Sequence, residues 1–255
     1  ESSDALRNVH LVGGRFAAGY SRDAHSGLRL YTTAGSLVRE VDLPAIGSIA
    51  GLSGRPDGPE MFYLITSFVV PGTVYRYEVD TGEQEIFSQP AVDFDPDDYV
   101  TEQVFYPSKD GTRIPMFISY RKDVPRDGNR PTYLYGYGGF NISLQPSFSA
   151  SNLVWMEMGG VFVQANLRGG GEYGRNWHEA GMKLAKQNVF DDFQAAAEWL
   201  IEHGYTNRSR LAIGGGSNGG LLVGACLTQR PELYGACLIA VGVLERGDPE
   251  HRRAL

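Results

Sequence analysis

One serine stands among glycines in the run G-G-G-S-N-G-G at residues 214–220. The apolar residues 211–213 before it are long enough only for a buried strand, and residues 221–227 after it supply the apolar face of a helix. Gly215-x-Ser217-x-Gly219 therefore sits at a strand–turn–helix junction, where such a serine serves as a nucleophile. The glycines allow a turn so tight that side chains on either side would collide, and the serine is held in a strained conformation with its hydroxyl exposed. The amides that open the next helix, beginning at Asn218, point to where an oxyanion would form.

Two other readings use the same residues. Gly214-x-Gly216-x-x-Gly219 also satisfies a dinucleotide-binding fingerprint, with Glu232 near the right distance downstream. The acid in that motif closes the second strand, whereas Glu232 precedes the next apolar run. The plainer reading is a glycine-rich turn with a bystander serine, in a chain that holds 33 glycines.

The elements that would position Ser217 fall into two groups. Up to about residue 90 the chain reads as short strands, at 11–12, 16–20, 28–31, 37–41, 61–66 and 73–79, separated by glycine-rich or polar turns. This much meander makes roughly two four-stranded propeller blades. The acidic stretch A-V-D-F-D-P-D-D at 91–98 reads as a linker or crossover. A hairpin follows, with strands at 100–106 and 114–120, and then strands at 131–135 and 161–165. A helix is expected over 187–204, capped by Asn188, with Asp191 and Asp192 at the positive end of its dipole and Gly204 at its close. Strands alternating with helices imply a mainly parallel sheet covered on both faces. The expected fold is α/β: an incomplete α/β-hydrolase, its nucleophile-elbow half, preceded by the last blades of a β-propeller. The expected domains are residues 1–91 and 92–255.

Several blocks resemble the prolyl oligopeptidase family of serine peptidases. They are Q-V-F-Y-P-S-K-D-G-T-R-I-P-M-F-I, Y-G-Y-G-G-F-N, A-N-L-R-G-G-G-E-Y-G, K-Q-N-V-F-D-D-F-Q-A-A-A-E and G-G-S-N-G-G-L-L-V, in that order. The resemblance implies a seven-bladed propeller covering the active site, and cleavage after proline in short proline-containing peptides. It implies that Ser217 is the nucleophile, that the Asn218 amide and the Tyr137 hydroxyl share the oxyanion, and that Phe140, Asn218 and Val243 form the substrate's proline pocket. It also implies a catalytic Asp and His after further strands, so the polar-tail residues Asp248 and His251 are read as solvent-exposed and not as a triad. The chain is then expected to be the middle of a longer enzyme and inactive by itself. An esterase or oligopeptidase of other specificity, or a non-catalytic truncated segment, stands as the alternative.

A net charge of −7 argues against nucleic acid or an anionic membrane as partner. No apolar run approaches the length of a membrane span. Cys226 and Cys237 lie in apolar runs and read as buried free thiols. No metal and no cofactor is expected. His203 reads as a helix-end partner, and Arg168 with Glu172 as a structural ion pair. The complete enzyme is expected to be a cytoplasmic monomer, with a bacterial periplasm the other compartment considered.

Overall fold

The computed structural model describes residues 4–242 and 244 and divides into two compact units. The first runs through Asp97 and takes in Gln145–Leu153. It holds two antiparallel four-stranded sheets, each ordered as in the chain. One contains β1 (Ala5–Val12), β2 (Arg15–Arg22), β3 (His25–Thr32) and β4 (Leu37–Val41). The other contains β5 (Ser48–Gly54), β6 (Glu60–Thr66), β7 (Thr73–Glu78) and β8 (Gln84–Ser88). These are the two expected blades.

Period-two alternation builds their core. In β6, Met61, Tyr63 and Ile65 are buried and meet Val12, Leu28, Leu30 and Val41 of the other blade. Strands β5 and β8 escape a sequence reading for different reasons. S-I-A-G-L-S-G is small and glycine-rich, and all five residues of the edge strand β8 are exposed, so neither shows an apolar stripe. Within this unit Ser48 Oγ donates to the Pro146 carbonyl at 2.7 Å, and the Phe148 N–H donates to Thr66 Oγ1 at 3.1 Å.

The second unit is built on a six-stranded sheet. Its strands are β9 (Tyr99–Pro107), β10 (Arg113–Arg121), β11 (Thr132–Tyr135), β12 (Val161–Ala165), β13 (Leu211–Gly216) and β14 (Ala236–Ala240). The spatial order is β14-β13-β11-β12-β10-β9. The β9–β10 hairpin is antiparallel and β10 pairs antiparallel with β12, while β11, β12, β13 and β14 run parallel. All five residues of β12 are buried, as befits a central strand covered on both faces.

Among the described residues the chain has four α-helices: α1 (Ala150–Glu157), which begins in the first unit's Gln145–Leu153 segment, α2 (Arg175–Glu179), α3 (Gln187–Glu202) and α4 (Asn218–Gln229). The short α1 and α2 have no counterpart among the expected elements. Helix α3 buries Val189, Phe193, Ala196, Ala197 and Leu200 against Leu134, Val163, Ile213 and Leu222. Emptying one such position, as in Phe193→Ala, costs about 3–5 kcal/mol. The helix ends as expected: Gly204 takes φ +72°, its N–H reaches the Ile201 carbonyl and that of Tyr205 reaches Leu200.

The start of α3 corrects the expected capping. Lys186 occupies the cap position with helical dihedrals and no side-chain cap. Asn188 turns away and donates to the Ala180 carbonyl at 2.9 Å. Asp192 faces inward, fully buried, where Arg168 holds it with Nη2–Oδ1 at 2.6 Å and Nε–Oδ2 at 3.0 Å. That also corrects the expected Arg168–Glu172 pair. Arg168 goes to Asp192 and, at 2.6 Å, to Asp110, while Glu172 Oε1 accepts from the Leu144 N–H. The carboxylate of α3 and the hairpin turn converge on Arg168, leaving Glu172 to order a neighbouring loop.

Candidate active site

Two of the glycines around Ser217 each remove a specific collision. A Cβ on Gly215 would strike the Gly219 carbonyl within the turn itself, and one on Gly219 would come within 2.7 Å of the Gly136 carbonyl. Gly216 is different, for its Cβ would meet nothing nearer than 3.8 Å. Ser217 takes φ +56° and ψ −115°, a left-sided conformation costly for a residue with a Cβ. Its own backbone sustains the turn: Ser217 N–H donates to Ala240 of β14 at 2.9 Å, and its carbonyl accepts from Gly220 and Leu221. The residue is exposed while Asn218, Gly219 and Gly220 beside it are buried.

Tyr137 and Phe140 come from the loop after β11. The Tyr137 carbonyl accepts a hydrogen bond from Asn218 Nδ2, so its backbone docks on the elbow. Asn218 Oδ1 in turn accepts from Lys186 Nζ at 3.1 Å, and the same ammonium donates to the Gly138 carbonyl at 2.8 Å. Burial depresses the Lys186 pKa to about 8. Phe140 and Asn141 both take positive φ, +54° and +57°, which throws the Phe140 ring outward, 69% exposed. Phe140, Asn218, Lys186, His178 and Leu221 line one cavity of about 410 Å³.

The structure thus assembles Ser217, Asn218, Tyr137 and Phe140 on one face of the second unit. Val243, Asp248 and His251 lie outside the described residues. His178 Nδ1 lies 2.7 Å from the Gly169 carbonyl, and His203 stacks on Trp199 with Nδ1 2.9 Å from its carbonyl. Glu232 sits in the turn before β14 and pairs with Arg230 at 2.6 Å, away from any strand end where it could reach a ribose. That geometry removes the dinucleotide reading. Cys226 and Cys237 are free thiols; burial pushes Cys226 up to about 12 and makes it inert. Lys186 went unnoticed in the sequence, since a lysine opening a helix reads as a solvated charge.

The comparisons agree with this fold. The family model of the prolyl oligopeptidase N-terminal β-propeller domain matches residues 1–90, and that of the prolyl oligopeptidase family matches residues 146–246. The chain belongs to the prolyl oligopeptidase family. It is 49% identical over 245 residues to a prolyl endopeptidase of Elizabethkingia miricola, covering 96% of this chain and 35% of that one. A prolyl endopeptidase of Dictyostelium discoideum is 45% identical over 235 residues, covering 91% and 31% respectively. Among solved structures, one from a study of two prolyl endopeptidases aligns with a TM-score of 0.87 at 53% identity, over 96% of this chain and 36% of that one. Apo prolyl oligopeptidase B from Galerina marginata gives 0.89 at 36% identity, again over 96% and 36%. The chain spans about a third of the length of the prolyl oligopeptidases it matches. Among the described residues no helix is long and apolar enough to cross a membrane.

Proposed function

We propose that this chain works within a serine endopeptidase that cleaves short peptides on the carboxyl side of proline, through an acyl-enzyme on Ser217. The observation that carries the reading is the strained, exposed Ser217 at the head of α4, with Asn218 buried behind it and hydrogen-bonded to the Tyr137 carbonyl. The prolyl endopeptidases it resembles supply the substrate class.

The chemistry follows from the residues. Ser217 Oγ attacks the scissile carbonyl carbon as a base takes its proton, and the carbonyl oxygen becomes an oxyanion. The Asn218 N–H and the Tyr137 hydroxyl donate to that oxygen, a charge that exists only after attack. The protonated base gives its proton to the leaving nitrogen as the C–N bond breaks and the oxyanion collapses; the same base then takes a proton from water, which attacks the acyl carbon and releases it from Ser217 Oγ, the proton returning to that oxygen. The base is a histidine held by a carboxylate, expected after β14 as in other hydrolases of this fold. Phe140, Asn218 and Val243 would form the apolar pocket for the proline ring.

Residues 1–91 act as closing blades of a propeller that keeps folded proteins out, and residues 92–255 as part of the hydrolase domain. The division of the compact units at Asp97 supports this. The enzyme works as a cytoplasmic monomer on peptides and not on nucleic acid, consistent with a charge of −7. The test is labelling of the full-length protein by a serine-directed phosphonate. Ser217→Ala should abolish it, and labelling that survives would overturn the reading.

A further inference from the structure

Lys186 occupies an unfavourable place for a lysine. It stands at the N-terminal end of α3, where the helix dipole repels a cation, and it is largely withdrawn from water. Among the described residues no carboxylate pairs with it, and its depressed pKa is caused by desolvation alone. A surface charge serving solubility would point outward. This one points at two acceptors, the Gly138 carbonyl at 2.8 Å and Asn218 Oδ1 at 3.1 Å.

These bonds close a ring. Asn218 Nδ2 donates to the Tyr137 carbonyl, the peptide bond joins Tyr137 to Gly138, and Lys186 returns from Gly138 to Asn218. Two residues of the ring, Asn218 and Tyr137, are those proposed above to donate an N–H and a hydroxyl to the oxyanion. Backbone bonds anchor the loop at its two ends, Gly136 N–H to the Gly214 carbonyl at 3.3 Å and Asn141 N–H to the Gly169 carbonyl at 3.1 Å, and Lys186 ties down the stretch between them. Gly136, Gly138 and Gly139 contribute no side chains, and the following Phe140 is exposed.

We infer that Lys186 is a positioning residue for the peptidase reaction, its ammonium locking the Tyr137–Gly138 loop to the Asn218 side chain so that both oxyanion donors keep one geometry. The inference rests on Ser217 being the nucleophile. Lys186 touches no reacting atom and acts only through Asn218 and Gly138. A displacement of about 1 Å in such donors is enough to lose on the order of a hundredfold in rate.

The experiment uses the full-length enzyme and a proline-ending chromogenic peptide. Lys186→Met should lower kcat by about tenfold to a hundredfold and leave KM within about twofold, because ground-state binding does not use the oxyanion donors. Tyr137→Phe should cost much less in the Lys186→Met background than alone, since the hydroxyl is already misplaced. An unchanged kcat, a loss confined to KM, or an equal cost of Tyr137→Phe in both backgrounds would overturn the inference. Lys186→Gln, a shorter neutral donor, takes the same measurements should the methionine variant not fold, and should retain more kcat than methionine where both do. Ser217→Ala separates the two claims. If phosphonate labelling survives in it, the nucleophile and the inference fall together. If it silences labelling while both Lys186 variants turn over normally, the inference about Lys186 falls alone.

Discussion

The backbone N–H of Ser217 donates to the carbonyl of Ala240 at 2.9 Å, so the turn that presents the serine is stitched to the end of β14. The bond places Ser217 one step beyond the β13–β14 ladder, where Gly216 pairs with Ala240. The strain at φ +56° is therefore sustained by a neighbouring strand as well as by the glycines of the turn.

Adding one methyl group at each of the two adjacent glycines before Ser217 should have very different results. Gly215→Ala drives a Cβ into the Gly219 carbonyl, a backbone atom that cannot swing aside. The expected loss of stability is about 1–3 kcal/mol or more, together with loss of activity. Gly216→Ala meets its nearest neighbour at 3.8 Å and should leave the unfolding midpoint nearly unchanged. Equal melting curves for the two variants would contradict this geometry.

Tyr137→Phe keeps the ring and the carbonyl bond to Asn218 while removing the hydroxyl. Turnover should fall on the order of 10²–10³-fold, about 3–4 kcal/mol, with little change in binding of a ground-state inhibitor. Unaltered turnover would assign Tyr137 to packing alone.

Phe140 is 69% exposed, so replacing it by Ala should barely affect folding. If its ring covers the substrate's proline, KM for a proline-ending peptide should rise about tenfold, a part of what burying a phenylalanine contributes. The steady-state constants decide it, and an unmoved KM would take Phe140 out of the pocket.

Arg168→Met should be far more damaging than its distance from Ser217 suggests. It strands the fully buried Asp192 without a counter-charge, at a cost of about 3–5 kcal/mol. The same guanidinium holds the Asp110 carboxyl down at about 2, below its ordinary 3.8. Because the folded value is the lower one, this contribution is present above pH 3.8 and disappears as pH falls through about 2. Asp110→Asn should therefore destabilise the protein at pH 6 and become neutral near pH 2. A constant difference in chemical denaturation across that range would refute the pairing. Half of the Asp110 side chain is solvated, so the effect is modest.

Lys186 also titrates with a depressed pKa, but here burial disfavours the charged form instead of a partner favouring it. Its folded pKa of about 8 lies below the ordinary 10.5, so the native state binds fewer protons between those values. Burial of the ammonium costs stability below pH 8, and that cost is relieved as pH rises towards 10.5, by on the order of 3 kcal/mol. Urea unfolding of wild type and Lys186→Met at pH 7 and pH 10 should show the wild type gaining on the variant at the higher pH. His178 and Lys183, which line the same cavity, are common to both proteins and cancel. A flat difference would place the ammonium in water.

Local pattern determined a good deal here. The serine's turn was legible because its chemistry needs small residues at fixed offsets, and chain order carries that information. Period-two alternation marked most blade strands, and a 3.6-residue stripe marked α3 down to its terminating Gly204. Family resemblance supplied what spacing could not: the roles proposed for Tyr137 and Phe140, about 80 residues before Ser217. Tertiary structure decided where the charges went. Asp192 suits a helix N-terminus in sequence, yet the buried Arg168 guanidinium captures it. Glu172, four residues from Arg168, binds the Leu144 amide instead. Lys186 reads as a solvated lysine until the loop after β11 and the head of α4 fold over it. In each case the partner lies 20 to 50 residues away, and a charge taken out of water goes to whichever donor, acceptor or counter-ion the fold brings within 3.1 Å, which no local pattern records.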